Sequence, residues 1–375
     1  MMACQLTKSP PHLKNYYHRF DALLFGEINI MTPLSISHLP PAPDGKTDWP
    51  WTKESKPLPP IMPDGKSWPK ISIVTPSYNQ GQFLEETIRS ILLQDYPNLE
   101  YIIMDGGSTD NSVEIIKKYE PWLTYWVSEK DNGQSHALNK GFRKATGDLI
   151  GWQNSDDYYG VSAFAPVALA WAQNSGIRVF YGKVFLIDDN KNIVGTFQTK
   201  NTSLGNIPNT FPFLGFSNQS MFIDRKIIDN GFFLDEQFKY AMDAEFWIRL
   251  ILSRYEFKYI DDCIGFFHLH PAGKSAYLQN IRLKEINKIC IDLLNSSNAS
   301  QYVKQIVLRG FKINLTDCFR NLYLKDFRRG FYSFIRHGGI PLLDFKLCRR
   351  FLASFLGRAI LSKVFYFIKK PALKN

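Results

Sequence analysis

From residue 70 onward, short apolar runs alternate with stretches in which apolar residues recur every three or four positions. The short runs predict buried strands, and the periodic stretches predict helices that pack one face against a sheet. Strands are expected at 71–74, 101–104, 125–127, 149–152 and 264–267, and helices near 83–92, 113–116, 137–145 and 246–251. This alternation predicts βαβ units and an α/β fold with a mainly parallel central sheet flanked by helices.

The first 69 residues follow a different pattern, in which proline replaces any regular periodicity. Nine prolines lie between Pro40 and Pro69, and they confine the backbone to extended or turn conformations. Three tryptophans, Trp49, Trp51 and Trp68, accompany them. Because disordered linkers are poor in aromatic residues, we expect an arm that these tryptophans pin against the body of the protein, with a disordered linker as the alternative.

Positive charge is concentrated at the C-terminal end. Residues 301–375 hold 16 Lys and Arg against 3 Asp, whereas the whole chain has a formal net charge of +10, so the first 300 residues are slightly acidic. Basic and aromatic residues alternate in this tail, which predicts short helices suited to an anionic membrane surface. The alternative is a helical subdomain that packs its aromatic residues inward. A basic tail on a near-neutral body does not favour a nucleic-acid-binding protein.

Composition indicates the compartment. No stretch reaches the roughly 18 uninterrupted apolar residues of a membrane-crossing helix, and the nearest candidate, 351–368, contains Arg358 and Lys363. Lys8 and Lys14 interrupt the N-terminus before an apolar run develops, so no signal peptide is expected. The five cysteines are scattered without a C-x-x-C pair, which favours a reduced compartment. We therefore expect a cytoplasmic protein, peripheral at the inner face of the cytoplasmic membrane.

Polar residues collect where the predicted strands end. Four strand ends carry the segments 76–79, 105–107, 129–132 and 154–157, each with at least one Asp, Glu, Asn or Ser. Connections between parallel strands are almost always right-handed, so these ends gather at one edge of the sheet, where α/β proteins bind ligands. One acidic residue at a strand end is commonly a helix cap. Four such ends together predict a polar pocket.

The adjacent carboxylates of Asp156 and Asp157 point to a metal ion. Two neighbouring acids repel each other unless a cation or hydrogen-bond donors offset their charge. Mg²⁺ and Mn²⁺ prefer oxygen ligands, and they commonly combine one or two carboxylates with phosphate oxygens of a substrate. A metal bound in this way would stabilise a diphosphate as it leaves. The alternative is a solvated acidic loop.

Several of these segments resemble glycosyltransferase family 2, whose members have the GT-A fold. Five stretches match in order and spacing: 73–79 (IVTPSYN), 104–110 (MDGGSTD), 128–134 (SEKDNGQ), 137–141 (ALNKG) and 154–157 (NSDD). The third and fourth are similar to a large bacterial subgroup of the surface-polysaccharide type. The resemblance covers about residues 70–275. It implies a GT-A, Rossmann-like domain there, after the arm of residues 1–69 and before a helical basic region at 276–375.

The resemblance implies a role for each matching residue. Asp156 and Asp157 correspond to the family's D-x-D element, one near the ribose and the other on the metal. The residues expected to bind the donor are Pro76, Tyr78, Asn79, Asp105, Gly106, Asp131, Gln134, Asn139, Lys140 and Asp156. Asp157 is the expected ligand of Mn²⁺ or Mg²⁺, with His270 as a further candidate. His268 and His270 alternate along a strand end, so both face the same side.

A later acidic motif, 242–247 (MDAEFW), matches the family's general base at Asp243. Such a base removes the proton of the acceptor hydroxyl as it attacks the anomeric carbon, and this direct displacement inverts the anomeric configuration. Helical periodicity places Asp243 in the first turn of its helix, where an acid that merely interacts with the helix dipole is the alternative. Glu245, His268 and Ser275 are second candidates for the site.

Three departures from the family pattern accompany the matches. Gly106 stands where many members have a second Asp, Met242 and Ala244 replace the usual neighbours of the base, and Gln219-Ser220 lacks a proline. They leave the expected reaction type unchanged, and they concern the identity of the acceptor.

The resemblance thus implies an inverting, metal-dependent glycosyltransferase of the hexosyltransferase class. It favours a UDP- or dTDP-sugar donor, and a glycan or lipid-linked acceptor in surface polysaccharide or lipopolysaccharide synthesis. Residues 70–160 would bind the nucleotide sugar, and residues 161–275 would supply the acceptor side and the base. Two alternatives stay open: a catalytically silent scaffold in a membrane assembly, and a sugar nucleotidyltransferase. The latter would need a Gly-rich basic loop after the first strand, which residues 75–82 lack.

Overall fold

The computed structural model describes residues 34–197, 217–274, 279–297, 299–321 and 323–355. Within these ranges the strands are β1 (Ile71–Ser77), β2 (Leu99–Asp105), β3 (Tyr125–Ser128), β4 (Leu149–Trp152), β5 (Tyr158–Tyr159), β6 (Val179–Ile187), β7 (Ile193–Phe197), β8 (Phe222–Asp224) and β9 (Phe257–His268). The helices are α1 (Gly81–Leu92), α2 (Ser112–Tyr119), α3 (Gln134–Lys144), α4 (Phe164–Gln173), α5 (Lys226–Asp229), α6 (Met242–Leu252), α7 (Gln279–Asn295), α8 (Gln301–Arg320), α9 (Leu324–Arg336) and α10 (Phe345–Ala353). The five strands expected from the sequence fall within β1 to β4 and β9.

The strands form one sheet in the order β3-β2-β1-β4-β8-β6-β9-β5, with β7 paired to β6. All pairs among β1 to β4 are parallel, and β6 is parallel to β9. The remaining pairs, which involve β5, β7 and β8, are antiparallel. Most paired positions belong to parallel pairs, so the prediction of a mainly parallel sheet in an α/β fold is confirmed.

The strand register brings the polar strand ends together. Ser77 at the end of β1 lies opposite Asp105 at the end of β2, and Asp105 lies opposite Ser128 at the end of β3. β4 runs parallel to β1 and ends at Trp152, so the loop of residues 153–157 leaves the sheet at the same edge. The predicted gathering of these segments is therefore confirmed.

Alternating side chains of the parallel strands feed two apolar clusters, one on each face of the sheet. Ile73 belongs to a cluster with α1, α2 and α4, whereas Val74 belongs to a cluster with α3 and α6 to α9. In the second cluster the rings of Trp152 and Trp247 stack with centroids 5.1 Å apart. This contact anchors α6 over the end of β4, and with it the first turn that carries Asp243.

The N-terminal arm packs on the body of the protein. Trp51 and Trp68 are buried, and Trp49 Nε1 donates a hydrogen bond to the carbonyl oxygen of Tyr159 at 2.8 Å. Fully buried Arg89 of α1 donates to three carbonyl oxygens of the arm, those of Pro40, Pro50 and Trp51. The predicted pinning of the arm by its tryptophans is confirmed for residues 34–69. Residues 1–33 lie outside the described residues.

The C-terminal helices α7 to α9 extend the second apolar cluster. Phe327 and Phe334 of α9 are buried, so these aromatic residues pack inward, as the alternative interpretation of the tail expects. Tyr332, Phe345 and Phe355 are exposed instead. Among the helices that the structure describes, none has both the length and the apolar character to cross a bilayer. Residues 356–375, which complete the basic tail, are not among those described.

Candidate active site

A cavity of about 790 Å³ lies at the edge where the strand ends gather. Its wall combines the loops after β1, β2, β3 and β4 with the first turns of α3 and α6 and the segment after β9. Eight residues expected at the site line it: Pro76, Tyr78, Gly106, Asp131, Gln134, Asp156, Asp243 and His268. The structure thus brings the donor-binding candidates and the candidate base to one space of ligand size.

Tyr78 and Asp131 shape one end of the cavity. Tyr78 is 62% exposed, so its ring offers a face to a planar ligand. Asp131 Oδ1 accepts a hydrogen bond from the N–H of Gly133 at 2.7 Å, and a Cβ at Gly106 would lie 2.7 Å from Asp131 Oδ2. The carboxylate of Asp131 therefore fills the space that a side chain at position 106 would need, where the resemblance expects a second Asp.

Asp105 and Asn79 form hydrogen bonds that hold the loops at this part of the cavity in place. Buried Asp105 accepts hydrogen bonds from the backbone N–H groups of residues 107 and 108 and from the hydroxyl of Ser128. Asn79 Oδ1 accepts a hydrogen bond from the N–H of Thr109 at 2.8 Å. Neither side chain lines the cavity. Both hold the loops that shape it.

Asp156 and His270 form a pair at the cavity wall. His270 Nε2 lies 3.2 Å from Asp156 Oδ2, and the imidazole is 2% exposed. Its Nδ1 is buried without a hydrogen-bond partner among the residues that the structure describes. The rings of Phe83 and His268 pack on it, with centroids 4.3 and 4.9 Å away. A largely buried imidazole thus lies beside a carboxylate that lines the cavity.

Asp157 is buried and does not line the cavity, although the three residues that donate hydrogen bonds to it do. Its Oδ1 accepts a hydrogen bond from the N–H of His268 at 2.9 Å, and its Oδ2 accepts from the side-chain amides of Gln219 at 2.6 Å and Asn154 at 2.9 Å. Burial, followed by the neighbouring Asp156 carboxylate, raises the pKa of Asp157 well above its ordinary value. Asp157 therefore ties the loop after β4 to β9, and both of its oxygens are engaged within the protein.

Asp243 lies in the first turn of α6, as predicted, and lines the cavity. Its Oδ1 accepts a hydrogen bond from the N–H of Ala244 at 2.7 Å. Burial raises the pKa of Asp243, while the Ala244 N–H and the nearby Lys274 ammonium group counteract that rise. A carboxylate with a raised pKa accepts a proton more readily than an exposed one, which suits a general base.

Lys274 is a site residue that the sequence does not single out. It lines the same cavity, and its Nζ donates a hydrogen bond to Gln134 Oε1 at 2.8 Å. Burial lowers the pKa of Lys274, and the carboxylates of Asp243, Glu285 and Asp156 counteract this. The ammonium group thus lies in the field of Asp156 and Asp243, two of the acids that line the cavity. Its sequence signal is its place in the segment 270–275 that follows β9.

Four other expected residues are Asn139, Lys140, Glu245 and Ser275. Asn139 exchanges two hydrogen bonds with the backbone of Leu234, both at 2.9 Å, because this face of α3 packs on the loop before α6. The next two form ion pairs, Lys140 with Glu129 and Glu245 with Arg249. None of these three lines the cavity. Ser275 lies outside the described residues.

The oxygen and nitrogen atoms that the Asp156–His270 pair offers as metal ligands fit a divalent metal that binds together with a diphosphate. Within the described ranges, no group of three or more His, Cys, Asp or Glu side chains could hold a metal ion. The pair supplies one carboxylate oxygen and one imidazole nitrogen, and the remaining ligands of Mg²⁺ or Mn²⁺ commonly come from substrate phosphates and water. The buried Nδ1 of His270 adds a polar atom that still needs a partner.

Comparisons of the sequence identify relatives of this chain. Residues 72–232 match the model of the glycosyl transferase family 2. An uncharacterized glycosyltransferase of Mycobacterium tuberculosis is 38% identical over 94 residues, which are 25% of this chain and 36% of that protein. The poly(ribitol-phosphate) beta-N-acetylglucosaminyltransferase TarS of Staphylococcus aureus is 22% identical over 267 residues, 67% of this chain and 46% of that protein. The chain thus spans less than half the length of these two curated relatives.

Solved structures share the fold. TarS residues 1–349 in complex with UDP-GlcNAc gives a TM-score of 0.57 at 18% identity, covering 72% of this chain and 81% of that one. A mannosyltransferase of Pyrobaculum calidifontis in complex with GDP-Man and Mn²⁺ gives a TM-score of 0.52 at 16% identity, covering 84% of each chain. At these identities the likeness establishes the fold alone, and it agrees with the GT-A fold that the family resemblance implies.

Proposed function

We propose that the chain is a glycosyltransferase of family 2, which transfers a sugar from a nucleoside-diphosphate sugar to an acceptor hydroxyl with inversion at the anomeric carbon. The observation that carries the proposal is a single cavity faced by Asp156, with its partner His270, and by Asp243. We assign donor binding to residues 70–160, and the acceptor side and the base to residues 161–275.

In this proposal Tyr78 and Asp131 hold the nucleotide. The exposed ring of Tyr78 offers a stacking surface for a base, and Asp131 keeps an oxygen for a hydrogen-bond donor of the ligand. Pro76 and Gly106 complete this end of the cavity. The TarS structures in complex with UDP-GlcNAc and with UDP support a uridine nucleotide. We therefore propose a UDP- or dTDP-sugar as the donor.

We place a divalent metal, Mn²⁺ or Mg²⁺, at Asp156 and His270. This moves the expected metal contact from Asp157 to its neighbour, because hydrogen bonds already engage both oxygens of Asp157. Bound there with the donor, the metal would neutralise charge on the departing diphosphate. The Pyrobaculum mannosyltransferase structure that contains Mn²⁺ supports the assignment.

In this proposal Lys274 and Gln134 bind the same diphosphate. The ammonium group of Lys274 lines the cavity, where little water screens its charge. Gln134 orients that ammonium group and is the first residue of α3. The unpaired N–H groups at the start of a helix also favour an anion. These groups would stabilise the negative charge that develops as the bond from the anomeric carbon to the diphosphate breaks.

Asp243 supplies the base in this proposal. As the acceptor oxygen bonds to the anomeric carbon, its proton passes to the Asp243 carboxylate, and the diphosphate leaves from the opposite side of the ring. Attack opposite the leaving group inverts the anomeric configuration. We propose a glycan or a lipid-linked glycan of a surface polysaccharide or lipopolysaccharide as the acceptor. The name of TarS, a poly(ribitol-phosphate) glycosyltransferase, supports the surface-polysaccharide class.

A thermal-shift measurement tests the donor half of this function. A ligand that binds the native state raises the melting temperature, so we expect UDP or dTDP with Mn²⁺ to raise it more than either component alone or GDP with Mn²⁺. Hydrolysis of a matching nucleotide sugar then separates an enzyme from a silent scaffold. No shift with any nucleoside diphosphate would contradict the proposal, and a shift with triphosphates only would favour a nucleotidyltransferase.

We expect Gly106→Ala to weaken nucleotide binding. The added methyl group would lie 2.7 Å from Asp131 Oδ2, so the carboxylate must leave its position in the cavity. Loss of a hydrogen bond to a charged group costs about 1.5–3 kcal/mol, which corresponds to a dissociation constant about 10–100 times higher. Calorimetric titration with the nucleoside diphosphate measures this change. Gly176→Ala is the control, because a Cβ there meets nothing within 4 Å, and an unchanged affinity of Gly106→Ala would contradict the role of Asp131.

We also propose that residues 301–375 dock on an anionic membrane surface at the cytoplasmic face. The exposed Tyr332, Phe345 and Phe355 accompany the excess of basic residues in this region. Each basic residue near an anionic surface contributes about 1 kcal/mol, so a few suffice for reversible binding. We expect the protein to sediment with vesicles that contain anionic lipid and not with neutral ones. Equal sedimentation with both, or with neither, would contradict membrane docking.

A further inference from the structure

The loop that leads into α6 is held from two sides. On one side, Asn139 of α3 bonds to the backbone of Leu234, and Ser135 Oγ donates a hydrogen bond to the carbonyl oxygen of Phe238 at 3.1 Å. On the other side lies α7, which belongs to the C-terminal helices and follows the residues that match the family model. From α7, the Lys288 ammonium group lies over the ring of Phe238, 4.5 Å from its centroid, and Glu285 binds the backbone of the loop.

Glu285 binds three consecutive backbone N–H groups. Its Oε1 accepts from Lys239 at 2.7 Å, and its Oε2 accepts from Tyr240 at 2.9 Å and from Ala241 at 2.8 Å. Ala241 is the N-cap residue of α6, and its own side chain provides no cap. Hydrogen bonds from N–H groups to a charged acceptor are among the stronger ones in proteins. A carboxylate at this end of a helix is also favourably oriented in the helix dipole.

We infer that Glu285 is a positioning residue for the candidate base Asp243. Only Met242 separates Asp243 from the last N–H group that Glu285 binds, so the placement of residues 239–241 sets the placement of the first turn of α6. This inference rests on the proposed function, in which Asp243 accepts the proton of the acceptor. α7 itself lines the cavity through Ile281, Arg282 and Ile286, although it lies outside the segment that matches the family model.

The inference differs from a role in stability alone. The second apolar cluster already joins α7 to the body of the protein through Leu283, Ile286 and Cys290. Glu285 adds a polar contact whose three partners all lie in the loop before the base. If Glu285 acts through Asp243, its loss lowers the rate of transfer and leaves the affinity for the nucleotide, which Tyr78 and Asp131 are proposed to hold, unchanged. A misplacement of about 1 Å can lower a rate about 10²-fold.

Glu285→Gln tests the inference with little change in side-chain size. The amide keeps one acceptor oxygen and replaces the other with an NH₂ donor, which leaves at least one backbone N–H of residues 239–241 without its acceptor. We expect kcat for transfer to fall about 10–100-fold, with an unchanged dissociation constant for the nucleoside diphosphate. Lys284→Gln is the matched control on the same helix, since Lys284 is exposed and its nearest carboxylate, that of Asp326, is 4.0 Å away. That control should keep the wild-type kcat.

A double-mutant cycle with Asp243→Asn tests whether Glu285 acts on kcat through Asp243. Residues that act as a unit are not additive, so Glu285→Gln should lower kcat little further once Asp243 has been replaced. An equal loss in both backgrounds, or wild-type kcat in folded Glu285→Gln, would overturn the inference and leave the proposed function standing. Full transfer by Asp243→Asn alone would instead overturn the proposed base. If Glu285→Gln does not fold, Glu285→Asp takes its place, because it keeps the charge with a shorter reach; wild-type kcat in that variant would also overturn the inference.

Discussion

Replacing Asp243 with Asn lowers the rate constant for sugar transfer by about 10²–10⁴-fold, the usual contribution of a positioned general base. Asn keeps the shape of the side chain and an oxygen that can accept the hydrogen bond from Ala244 N–H. It cannot take up a proton from the acceptor hydroxyl. Tyr78 and Asp131 remain unchanged, so the affinity for the nucleoside diphosphate stays at the wild-type value. Single-turnover kinetics and calorimetric titration measure the two quantities separately.

The pH dependence of the transfer rate gives a second test of Asp243→Asn. A general base acts only when it is ionised, and burial raises the pKa of Asp243. The wild-type rate therefore falls as the pH drops through that raised pKa, at a higher pH than an ordinary aspartate would give. This acidic limb disappears in Asp243→Asn. The same shift links Asp243 to stability. Because its pKa is higher in the folded protein than in the unfolded chain, ionisation of Asp243 lowers the free energy of unfolding as the pH rises.

Glu245→Gln is the matched control for the base. Glu245 lies two residues further along α6 and forms a two-oxygen contact with Arg249, at 2.7 and 2.9 Å. Its substitution removes an ion pair on the same helix without changing the group that faces the cavity. We expect the transfer rate of this variant to stay near the wild-type value. A loss of rate in Glu245→Gln with an intact rate in Asp243→Asn would assign the base to Glu245.

The polar edge of the sheet is predictable from the sequence because both of its signals are local. An apolar run of about four residues marks a buried strand, and the polar residues after it mark the strand end, whatever lies elsewhere in the chain. Parallel connections then place Ser77, Asp105 and Ser128 side by side, as the register shows. The first turn of α6, with Asp243, follows from helical periodicity in the same way.

Side-chain direction is not local, and this is where the residue assignments of the sequence and the structure diverge. Asn139 belongs to a segment that resembles a donor-binding motif, yet it bonds to Leu234, 95 positions further along the chain. Lys274 donates a hydrogen bond to Gln134, which is 140 positions earlier in the chain. No hydrophobic pattern records which side of a helix meets such distant partners. Only the packed structure shows them.

The adjacent acids Asp156 and Asp157 make the sharpest case, because neighbours in sequence face different surroundings. Asp156 lines the cavity and lies beside His270. The oxygens of Asp157 accept three hydrogen bonds from the loop around Gln219, from Asn154 and from β9. Asp157→Ala is therefore expected to affect mainly stability, and Asp156→Ala mainly metal-dependent binding and transfer. Asp157→Ala leaves three buried donors without an acceptor, at a cost of about 1–3 kcal/mol for each unsatisfied group, so its main effect is on the free energy of unfolding.

Asp156→Ala removes the metal-dependent part of donor binding and leaves the fold intact. The Asp156 carboxylate raises the pKa of Asp157, so its removal relieves a repulsion that offsets the lost contact with His270 Nε2, and the free energy of unfolding without metal changes little. We expect the melting temperature with nucleoside diphosphate to become independent of Mn²⁺. Loss of several kcal/mol of charge stabilisation lowers transfer by at least about 10²–10³-fold, a rate that excess chelator should not lower further. If Asp156→Ala keeps the Mn²⁺-dependent shift while a stably folded Asp157→Ala loses it, the metal contact belongs to Asp157.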